Sequence, residues 1–398
     1  MKVIHLTTWQ EVCGIATYTS NLINNLENQG INNEIYPINR TSLEYLSFNE
    51  IREHFANFCR MAKDFDIVHI QHEHGFFHGS YPFDKSIDIF HDILIYLKKH
   101  RKKVVVTFHT DPIFVQSILK TFKEGSSQLS RNLSNSLQTW KWKSKIAPFF
   151  NSSNSNFTAL VHTKKSRLLL INSGFAPESI KVVKHGITTR YNTTYSLLNS
   201  QDCKSKIDLD EGCKLLSIFG FVSGYKGYEI AINALKYLPS QYYLAIIGGT
   251  HPNERHDKTI DRIFNLIIEC KLQNRVRITG FVDFEVLDLY HAATDICLAP
   301  YLSSTLSASG ALTWALNSGK PIIASKIPAF YELNQEVDCM SMITPECSME
   351  LAWQILNLDK DEQLKEQLVK NAFTYVNENS WDKISSIHIE IYKNLMFN

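Results

Sequence analysis

The stretch that decides the fold lies at residues 214–228 and reads Lys-Leu-Leu-Ser-Ile-Phe-Gly-Phe-Val-Ser-Gly-Tyr-Lys-Gly-Tyr. Its first part, Lys214–Phe219, is an apolar run typical of a buried strand. Closely spaced glycines then indicate a tight loop, and residues 227–238 have the apolar periodicity of a helix. Because a strand, a short loop and a helix in this order make half of a βαβ unit, the stretch predicts a parallel sheet.

The same alternation extends over the whole chain. Further strand-like runs lie at residues 3–6, 34–38, 66–71, 103–108, 157–162, 180–184, 243–247, 275–279, 295–299 and 321–325. Helical patterns lie between them, as at residues 14–29, and residues 346–396 are mostly helical. The sequence therefore predicts an α/β protein of two Rossmann-like domains whose parallel sheets face each other across a cleft. A polar stretch at 188–212 predicts the linker, which gives domains at 1–195 and 210–378 and a last segment at 379–398.

The composition is that of an ordinary globular protein. Of 398 residues, 44% are hydrophobic and 20% are charged, and 41 basic against 40 acidic residues give a net charge of +1. This balance excludes a generally basic nucleic-acid coat, so we expect no nucleic-acid partner. Since no apolar run reaches membrane-spanning length and the first residues lack a signal-peptide pattern, we expect a cytoplasmic protein. The 8 scattered cysteines, without a Cys-x-x-Cys pair, are typical of reduced thiols.

Two loops place glycines at the start of a helix, where backbone amides and the helix dipole favour an anion. Gly14 follows the first strand, although a glycine required only by the turn would give the same pattern. Lys226 begins the second helix, where an ammonium group suits the charge of a departing diphosphate; the alternative is a solvated surface lysine. No G-x-G-x-x-G or Walker A pattern occurs, which argues against dinucleotide dehydrogenases and P-loop enzymes.

Two further loops could carry chemistry. Small residues begin a helix at Ser309, Gly310 and Ala311, where amides could again meet an anion, and Ser309 would equally serve as an ordinary N-cap. His109 follows the strand Lys103–Phe108, at the sheet edge where ligands bind. We expect His109 to be a catalytic residue, with a purely structural histidine as the alternative.

Histidines are dense around the strand at residues 66–71, in the run His-Ile-Gln-His-Glu-His that ends at residue 74. A metal site is one interpretation, but no companion ligand set is visible in the sequence, and we expect no metal. We expect Gln71, His72 and Glu73 to line a polar pocket for a sugar or phosphate.

Residues 140–150, from Trp140 to Phe150, mix basic and aromatic side chains as membrane interfaces do. One expectation is peripheral contact with a membrane or a lipid-linked acceptor. The other is a surface helix whose lysines snorkel.

In this arrangement of loops the chain resembles the retaining glycosyltransferases of family 4, which have the two-domain B-type (GT-B) fold. The resemblance covers nearly the whole length. It rests on motifs in the family's order at residues 13–18, 66–73, 106–110, 183–187, 220–227, 248–252, 279–282, 293–295, 309–310 and 319–321.

The resemblance implies roles for the matching positions. Lys226 corresponds to the family's phosphate-binding lysine, and His109 would lie near the transferred sugar. Residues 381–396 would form a helix that crosses back onto the first domain. The implied donor-binding residues are Gly14, Gly249, Thr250, Val282, Ser309, Gly310 and Ala311. Gln71, His72 and Glu73 would lie on the acceptor side.

Three positions depart from the family pattern. Phe221 stands where the family usually has an arginine after the glycine of the phosphate loop. Leu306 and Trp314 stand where it usually has two glutamates eight residues apart. The two missing glutamates weaken the implied contacts to the sugar and ribose hydroxyls. The donor would then be held differently, Ser307 or Ser309 would substitute, or activity would be lost.

The resemblance implies retaining transfer of a hexose from a nucleotide-diphosphate sugar to an acceptor hydroxyl. We expect a UDP- or GDP-sugar as donor, a glycan or glycoconjugate as acceptor and no obligatory cofactor, in polysaccharide or glycoconjugate biosynthesis. Two alternatives stay open. The missing glutamates would suit a catalytically degenerate, transferase-like binding protein, and a nucleotide-sugar epimerase could have the same architecture.

Overall fold

A computed structural model describes residues 1–111, 138–151, 156–189, 199–250, 258–303, 306 and 308–397. The chain divides into two compact units. Unit 1 comprises Met1–Gly186, Thr305–Ala308 and Trp381–Asn398, and unit 2 comprises Ile187–Ser304 and Ser309–Ser380. The last helix of the chain therefore belongs to the first unit.

Unit 1 is built on a six-stranded sheet in the order β2-β1-β3-β4-β5-β6. Its strands are β1 Lys2–Thr7, β2 Asn32–Pro37, β3 Ile67–His72, β4 Lys103–Phe108, β5 Phe157–Val161 and β6 Ile180–Val182. Neighbouring strands pair in parallel throughout. Their carboxyl ends therefore lie along one edge of the sheet, where the loops after β1, β3 and β4 begin.

The central strands of unit 1 are buried on both faces, which explains their continuous apolar sequences. Side chains alternate between the faces along a strand. Val3 packs with Tyr18 and Trp381 on one face, whereas Ile4 packs with Phe55 on the other. The helices of this unit are α1 Gly14–Asn28, α2 Arg40–Glu44, α3 Phe48–Met61, α4 Asp84–Lys99, α5 Lys164–Asn172 and, from the end of the chain, Trp381–Phe397.

Unit 2 has a second six-stranded parallel sheet in the order β12-β11-β10-β7-β8-β9. Its strands are β7 Lys214–Phe219, β8 Tyr242–Ile247, β9 Val276–Ile278, β10 Ile296–Ala299, β11 Ile322–Ser325 and β12 Ser341–Ile343. Its helices are α6 Ser200–Lys206, α7 Tyr228–Leu235, α8 Thr259–Glu269, α9 Phe284–Ala293, α10 Gly310–Leu316, α11 Pro328–Val337, α12 Ser348–Lys360 and α13 Glu362–Glu378. The helix Trp381–Phe397 of unit 1 is α14.

The two parallel sheets confirm the predicted α/β class. Helix α6 lies inside the polar stretch at residues 188–212, where the sequence predicts the linker and no helix. Asn199 caps this helix by accepting from the amides of Gln201 and Asp202, and its short polar sequence has no apolar periodicity that would signal a helix. The short strand β12 was also not predicted. Within the described residues, no helix is long and apolar enough to cross a membrane.

Candidate active site

The loop after β7 encloses Lys226 in unit 2. The Lys226 side chain is only 3% exposed, and its Nζ donates to the carbonyl oxygen of Phe219, the last residue of β7, at 3.1 Å. A Cβ atom added to Gly220 would lie 2.7 Å from this Nζ. The alternative of a solvated surface lysine was therefore wrong, and Lys226 places a buried positive charge at the carboxyl end of the sheet.

A second glycine loop, after β8, pairs with the first. The amide of Gly220 donates to Ile247 at 2.9 Å and that of Val222 donates to Gly249 at 2.8 Å. Gly248 has a φ of 142°, and a Cβ there would lie 2.4 Å from the Gly220 carbonyl oxygen. Only glycine permits this approach. Thr250 bridges to Val222, so the predicted donor residues Gly249 and Thr250 lie beside the loop that carries Lys226.

The start of α10 reaches the same loop. The Cβ atom of Ala311 lies 3.0 Å from the position that a Cβ on Gly220 would take, so Ala311 and Lys226 flank Gly220. The hydroxyl of Ser309 accepts from the Leu312 amide at 3.2 Å, which confirms the N-cap interpretation for Ser309. Gly310 has room for a side chain among the described residues, so packing within the chain does not require glycine at this position.

Val282 lies in the loop between β9 and α9 of unit 2. Its neighbour Phe281 covers Gly249, where an added Cβ would lie 2.7 Å from the Phe281 ring. Gly280 bridges to Gly248. The Phe281 ring is 60% exposed. This loop therefore adds an accessible aromatic face next to the glycine loops.

Aromatic rings occupy the positions where the departures from the family pattern lie in unit 2. Phe221 meets Phe281 edge-on with ring centroids 5.9 Å apart. Trp314 stacks on His291 at 6.1 Å, and His291 stacks in turn on Phe219 at 4.0 Å. Burial lowers the pKa of His291 to about 3, so its ring is neutral and packs as an aromatic group. Leu306, at the other departure, belongs to unit 1 and bridges to Thr110.

In unit 1, His109 lies at the end of β4 among aromatic groups. Its Nε2 and the Oε1 of Gln71 are 2.8 Å apart. The ring contacts Tyr18 edge-on at 4.9 Å and lies 5.4 Å from the His162 ring, and Tyr18 also contacts His185. Burial, together with His162 and His185, holds the pKa of His109 well below its ordinary value. His109 is therefore a neutral hydrogen-bonding group.

The three predicted acceptor-side residues differ in their surroundings. Gln71 is buried and bonds to His109. His72 is the last residue of β3. It is a core residue, because its ring packs against the rings of Phe90 and Phe108, with centroids 4.5 Å and 5.1 Å away. The Glu73 carboxylate accepts from the Thr110 hydroxyl and from the His74 amide. Burial, the largest influence, raises the pKa of Glu73.

Gly14 lies at the first turn of α1, after β1. The residue before it, Cys13, gives the helix no side-chain cap. Gly14 has an ordinary φ, and an added Cβ would meet nothing within 4 Å among the described residues. Neither the backbone conformation nor packing among the described residues therefore requires glycine at this position.

The segment 140–150 packs one face into the core of unit 1. Trp142, Phe149 and Phe150 are buried, whereas Trp140 is 63% exposed. Lys141 and Lys145 form ion pairs with Asp84 at 2.8 Å and Asp88 at 2.6 Å on α4. The segment therefore has one buried aromatic face, while Trp140 and Lys143 are exposed. Among the described residues, no three His, Cys, Asp or Glu side chains are grouped to hold a metal ion.

Sequence reasoning missed the residues that surround His109. Tyr18, His162 and His185 come from three separate parts of unit 1, and no local pattern links them. The sequence offers one signal for the two histidines, since His162 follows the end of β5 and His185 follows the end of β6. Tyr18 lies in α1 and shares no such signal. The exposed Phe281 in unit 2 was passed over in the same way, since a single aromatic after a glycine has no specific pattern.

Comparison with known proteins supports the fold. Residues 200–375 match the family described as Glycosyl transferases group 1. An uncharacterized glycosyltransferase of Methanocaldococcus jannaschii is 21% identical over 219 residues, which cover 54% of this chain and 54% of that protein. The chain thus spans about half the length of the curated relative it matches.

Solved structures match the chain over nearly its whole length. HepE of Anabaena in complex with UDP-glucose has a TM-score of 0.70 and 17% identity, with 99% of this chain and 100% of that chain covered. Sucrose-phosphate synthase of Thermosynechococcus elongatus has a TM-score of 0.74 and 17% identity, with 99% of each chain covered. The chain therefore has the GT-B fold of these glycosyltransferases, and its second unit carries the segment that matches the Glycosyl transferases group 1 family.

Proposed function

We propose that this protein is a retaining glycosyltransferase, which moves a hexose from a nucleotide-diphosphate sugar to an acceptor hydroxyl. The observation that carries the proposal is the burial of Lys226 beside Gly220, with Gly249 and Ala311 next to the same loop. These groups lie within the segment that matches the Glycosyl transferases group 1 family. A buried ammonium group at a glycine-lined strand end suits a diphosphate.

In this proposal the donor binds to unit 2. Lys226 neutralises the negative charge that develops on the diphosphate as the bond to the sugar breaks. The backbone at Ser309, Gly310 and Ala311 faces the diphosphate and sugar, and Val282 with Phe281 lies on the nucleoside side. HepE was crystallised with UDP and with UDP-glucose, which supports a nucleotide sugar as donor. UDP- and GDP-sugars are the first donors to test.

The acceptor binds to unit 1 through Glu73 and His109, and the buried Gln71 supports His109 from behind. Oxygen and nitrogen atoms of these side chains suit the hydroxyls of a glycan or glycoconjugate. The motifs contain no obvious carboxylate nucleophile. We therefore infer a front-side path in which the leaving diphosphate helps to take the acceptor proton, so that the anomeric configuration is retained and no metal is obligatory. Polysaccharide or glycoconjugate assembly is the setting we propose, and any peripheral membrane contact of residues 140–150 would depend on Trp140.

One alternative has a specific observation in its favour. Trp314 stacks on His291 at a position where the family usually has a glutamate. A donor site without that carboxylate would bind a nucleotide without turning it over, as a transferase-like binding protein does.

The test incubates the full chain with UDP-, GDP-, ADP- and dTDP-sugars, with and without a panel of glycan acceptors, and measures release of nucleoside diphosphate. We expect one nucleotide class to be used, with release that increases when an acceptor is present, and NMR of the product should show the anomeric configuration of the donor. Binding without release would support the binding protein and contradict the proposal. A changed sugar with the nucleotide still attached would indicate an epimerase.

A further inference from the structure

A continuous line of buried hydrogen bonds runs through unit 1 from α14 to His109. The Tyr392 hydroxyl oxygen lies 2.7 Å from Nδ1 of His69. Nε2 of His69 lies 3.2 Å from Nε2 of Gln71, and Oε1 of Gln71 lies 2.8 Å from Nε2 of His109. Tyr392, His69 and Gln71 are fully buried. We call these three residues the relay.

With the Gln71 amide oriented as in this structure, its hydrogen bonds set the proton position on both imidazole rings. An amide nitrogen only donates and an amide oxygen only accepts. The Gln71 amide nitrogen therefore needs an unprotonated Nε2 on His69, which leaves the His69 proton on Nδ1, directed at Tyr392. The Gln71 oxygen in turn needs a proton on Nε2 of His109. The two histidines are thus held as opposite tautomers, His69 with Nδ1–H and His109 with Nε2–H.

The surroundings of the relay keep both rings neutral, as this assignment requires. Burial, with contributions from His5, His388 and His109, holds the pKa of His69 well below its ordinary value. The Thr107 hydroxyl lies 2.8 Å from the same Nε2 of His69, where it serves as a second donor. Around His109 the facing groups are Tyr18 and His162, whose rings limit its rotation.

We propose that Tyr392, His69 and Gln71 are positioning residues that hold His109 as its Nε2–H tautomer. In this tautomer Nε2–H donates to Gln71 and Nδ1 carries no proton, so Nδ1 can act only as an acceptor, as it would toward a substrate hydroxyl. The inference rests on the proposed function in one respect, since it takes His109 to contact the substrate. The proposal gives helix α14 a chemical role in addition to packing. The Tyr392 hydroxyl of this helix acts through His69 and Gln71 on the proton position of His109.

NMR of the full chain with ¹⁵N-labelled histidine tests the relay without any substrate. In the wild type, we expect the protonated-nitrogen signal at Nδ1 of His69 and at Nε2 of His109. The opposite tautomer at either ring would overturn the proposal. This measurement needs no variant and therefore does not depend on how well a variant folds.

The variant Tyr392→Phe removes the hydroxyl and keeps the ring. His69 then loses the partner of its Nδ1–H and favours Nε2–H, so the Gln71 amide turns and offers its nitrogen to His109. We expect the ratio of Nδ1–H to Nε2–H tautomer at His109 to increase at least tenfold, since a buried donor without a partner is strongly disfavoured. Tyr36→Phe is the matched control, because the Tyr36 hydroxyl donates to the His54 carbonyl at 2.8 Å outside the relay. An unchanged His109 tautomer in Tyr392→Phe would overturn the proposal.

Kinetics separate this inference from the proposed function. With the relay broken, we expect kcat to decrease about tenfold while KM for the donor stays within about twofold, because the donor binds elsewhere. Tyr36→Phe should leave both constants unchanged. If the wild type transfers no sugar but the tautomers respond as expected, the relay is supported and the proposed function is contradicted. If Tyr392→Phe transfers sugar at the wild-type rate, the positioning role is contradicted.

Discussion

The ammonium nitrogen of Lys226 lies 3.1 Å from the carbonyl oxygen of Phe219, so the lysine side chain folds back onto the end of its own strand. A charge at such a buried position is expensive unless it has partners. The Phe219 carbonyl supplies one, and the Tyr301 ring lies 6.0 Å from the same nitrogen. A diphosphate would bring negative charge next to this ammonium group, and this expectation gives the first prediction.

Lys226→Met should abolish most transfer while the protein stays folded. Methionine has a similar length and suits a buried position, but it cannot neutralise the leaving diphosphate. We expect kcat/KM to decrease by about a hundredfold or more, in the range seen when one electrostatic donor is removed from an active site. Lys236→Met, at the exposed end of α7, is the matched control. Equal turnover in the two variants would refute the role of Lys226.

Gly14→Ala and Gly310→Ala should separate activity from stability. Both positions have room for a Cβ and an ordinary φ, so the free energy of unfolding should stay the same or increase by up to about 1 kcal/mol. If a ligand approaches these backbones closely, transfer should decrease in both variants. Chemical denaturation and initial rates provide the two measurements. Full activity with retained stability would mean that no ligand approaches there.

Phe281→Ala should weaken nucleotide binding. The ring is 60% exposed, so its loss should change the stability of unit 2 little, whereas the loss of stacking on a nucleobase costs at least about 1 kcal/mol. We expect the Kd for UDP, measured by calorimetry, to increase roughly five- to tenfold. The control is Phe264→Ala, which removes a half-exposed ring on α8. A similar Kd for both variants would place the nucleobase elsewhere.

Acid should destabilise unit 1. Burial lowers the pKa of His5 and His388 to about 4 and that of His162 to about 3, against 6.5 for an ordinary histidine. Between these values the unfolded chain binds more protons than the folded one, so stability increases with pH and is lost as pH falls from about 7 towards 4. We expect a loss of about 2 kcal/mol for each of these histidines by pH 5.

Hydrogen exchange at pH 7 and pH 5 can follow the two units separately. Among the described residues of unit 2, His291 is the histidine with this behaviour, so protection in unit 2 should decrease less than in unit 1. Equal loss of protection in both units would contradict the assignment of acid sensitivity to the buried histidines.

Local sequence patterns are enough to predict most of the fold. The apolar runs give the principal strands because burial on both faces leaves few polar positions, as in Lys103–Phe108. In the same way, the apolar run at 214–219 and the helical periodicity at 227–238 predict that Lys226 lies between a strand and a helix. What local patterns could not predict is contact between distant segments. Tyr392 and His69 are 323 residues apart in sequence, and the aromatic environment that makes His72 a core residue comes from three different segments of unit 1.

The departures from the family pattern show a second limit. The resemblance places Trp314 where that family usually has a glutamate, but the stacking of Trp314 on His291, and of His291 on Phe219, depends on how α9 and α10 pack on the sheet. Such packing is a tertiary property that residue propensities do not contain.

The most direct measurement is a crystal structure of the chain with UDP. The account predicts that diphosphate oxygens lie within about 3 Å of Lys226 Nζ, next to Gly220 and the start of α10, with the uracil on the side of Phe281 and Val282. A diphosphate bound away from the loops after β7 and β8, or no bound nucleotide at millimolar UDP, would contradict the central claim that these loops of unit 2 hold the sugar donor.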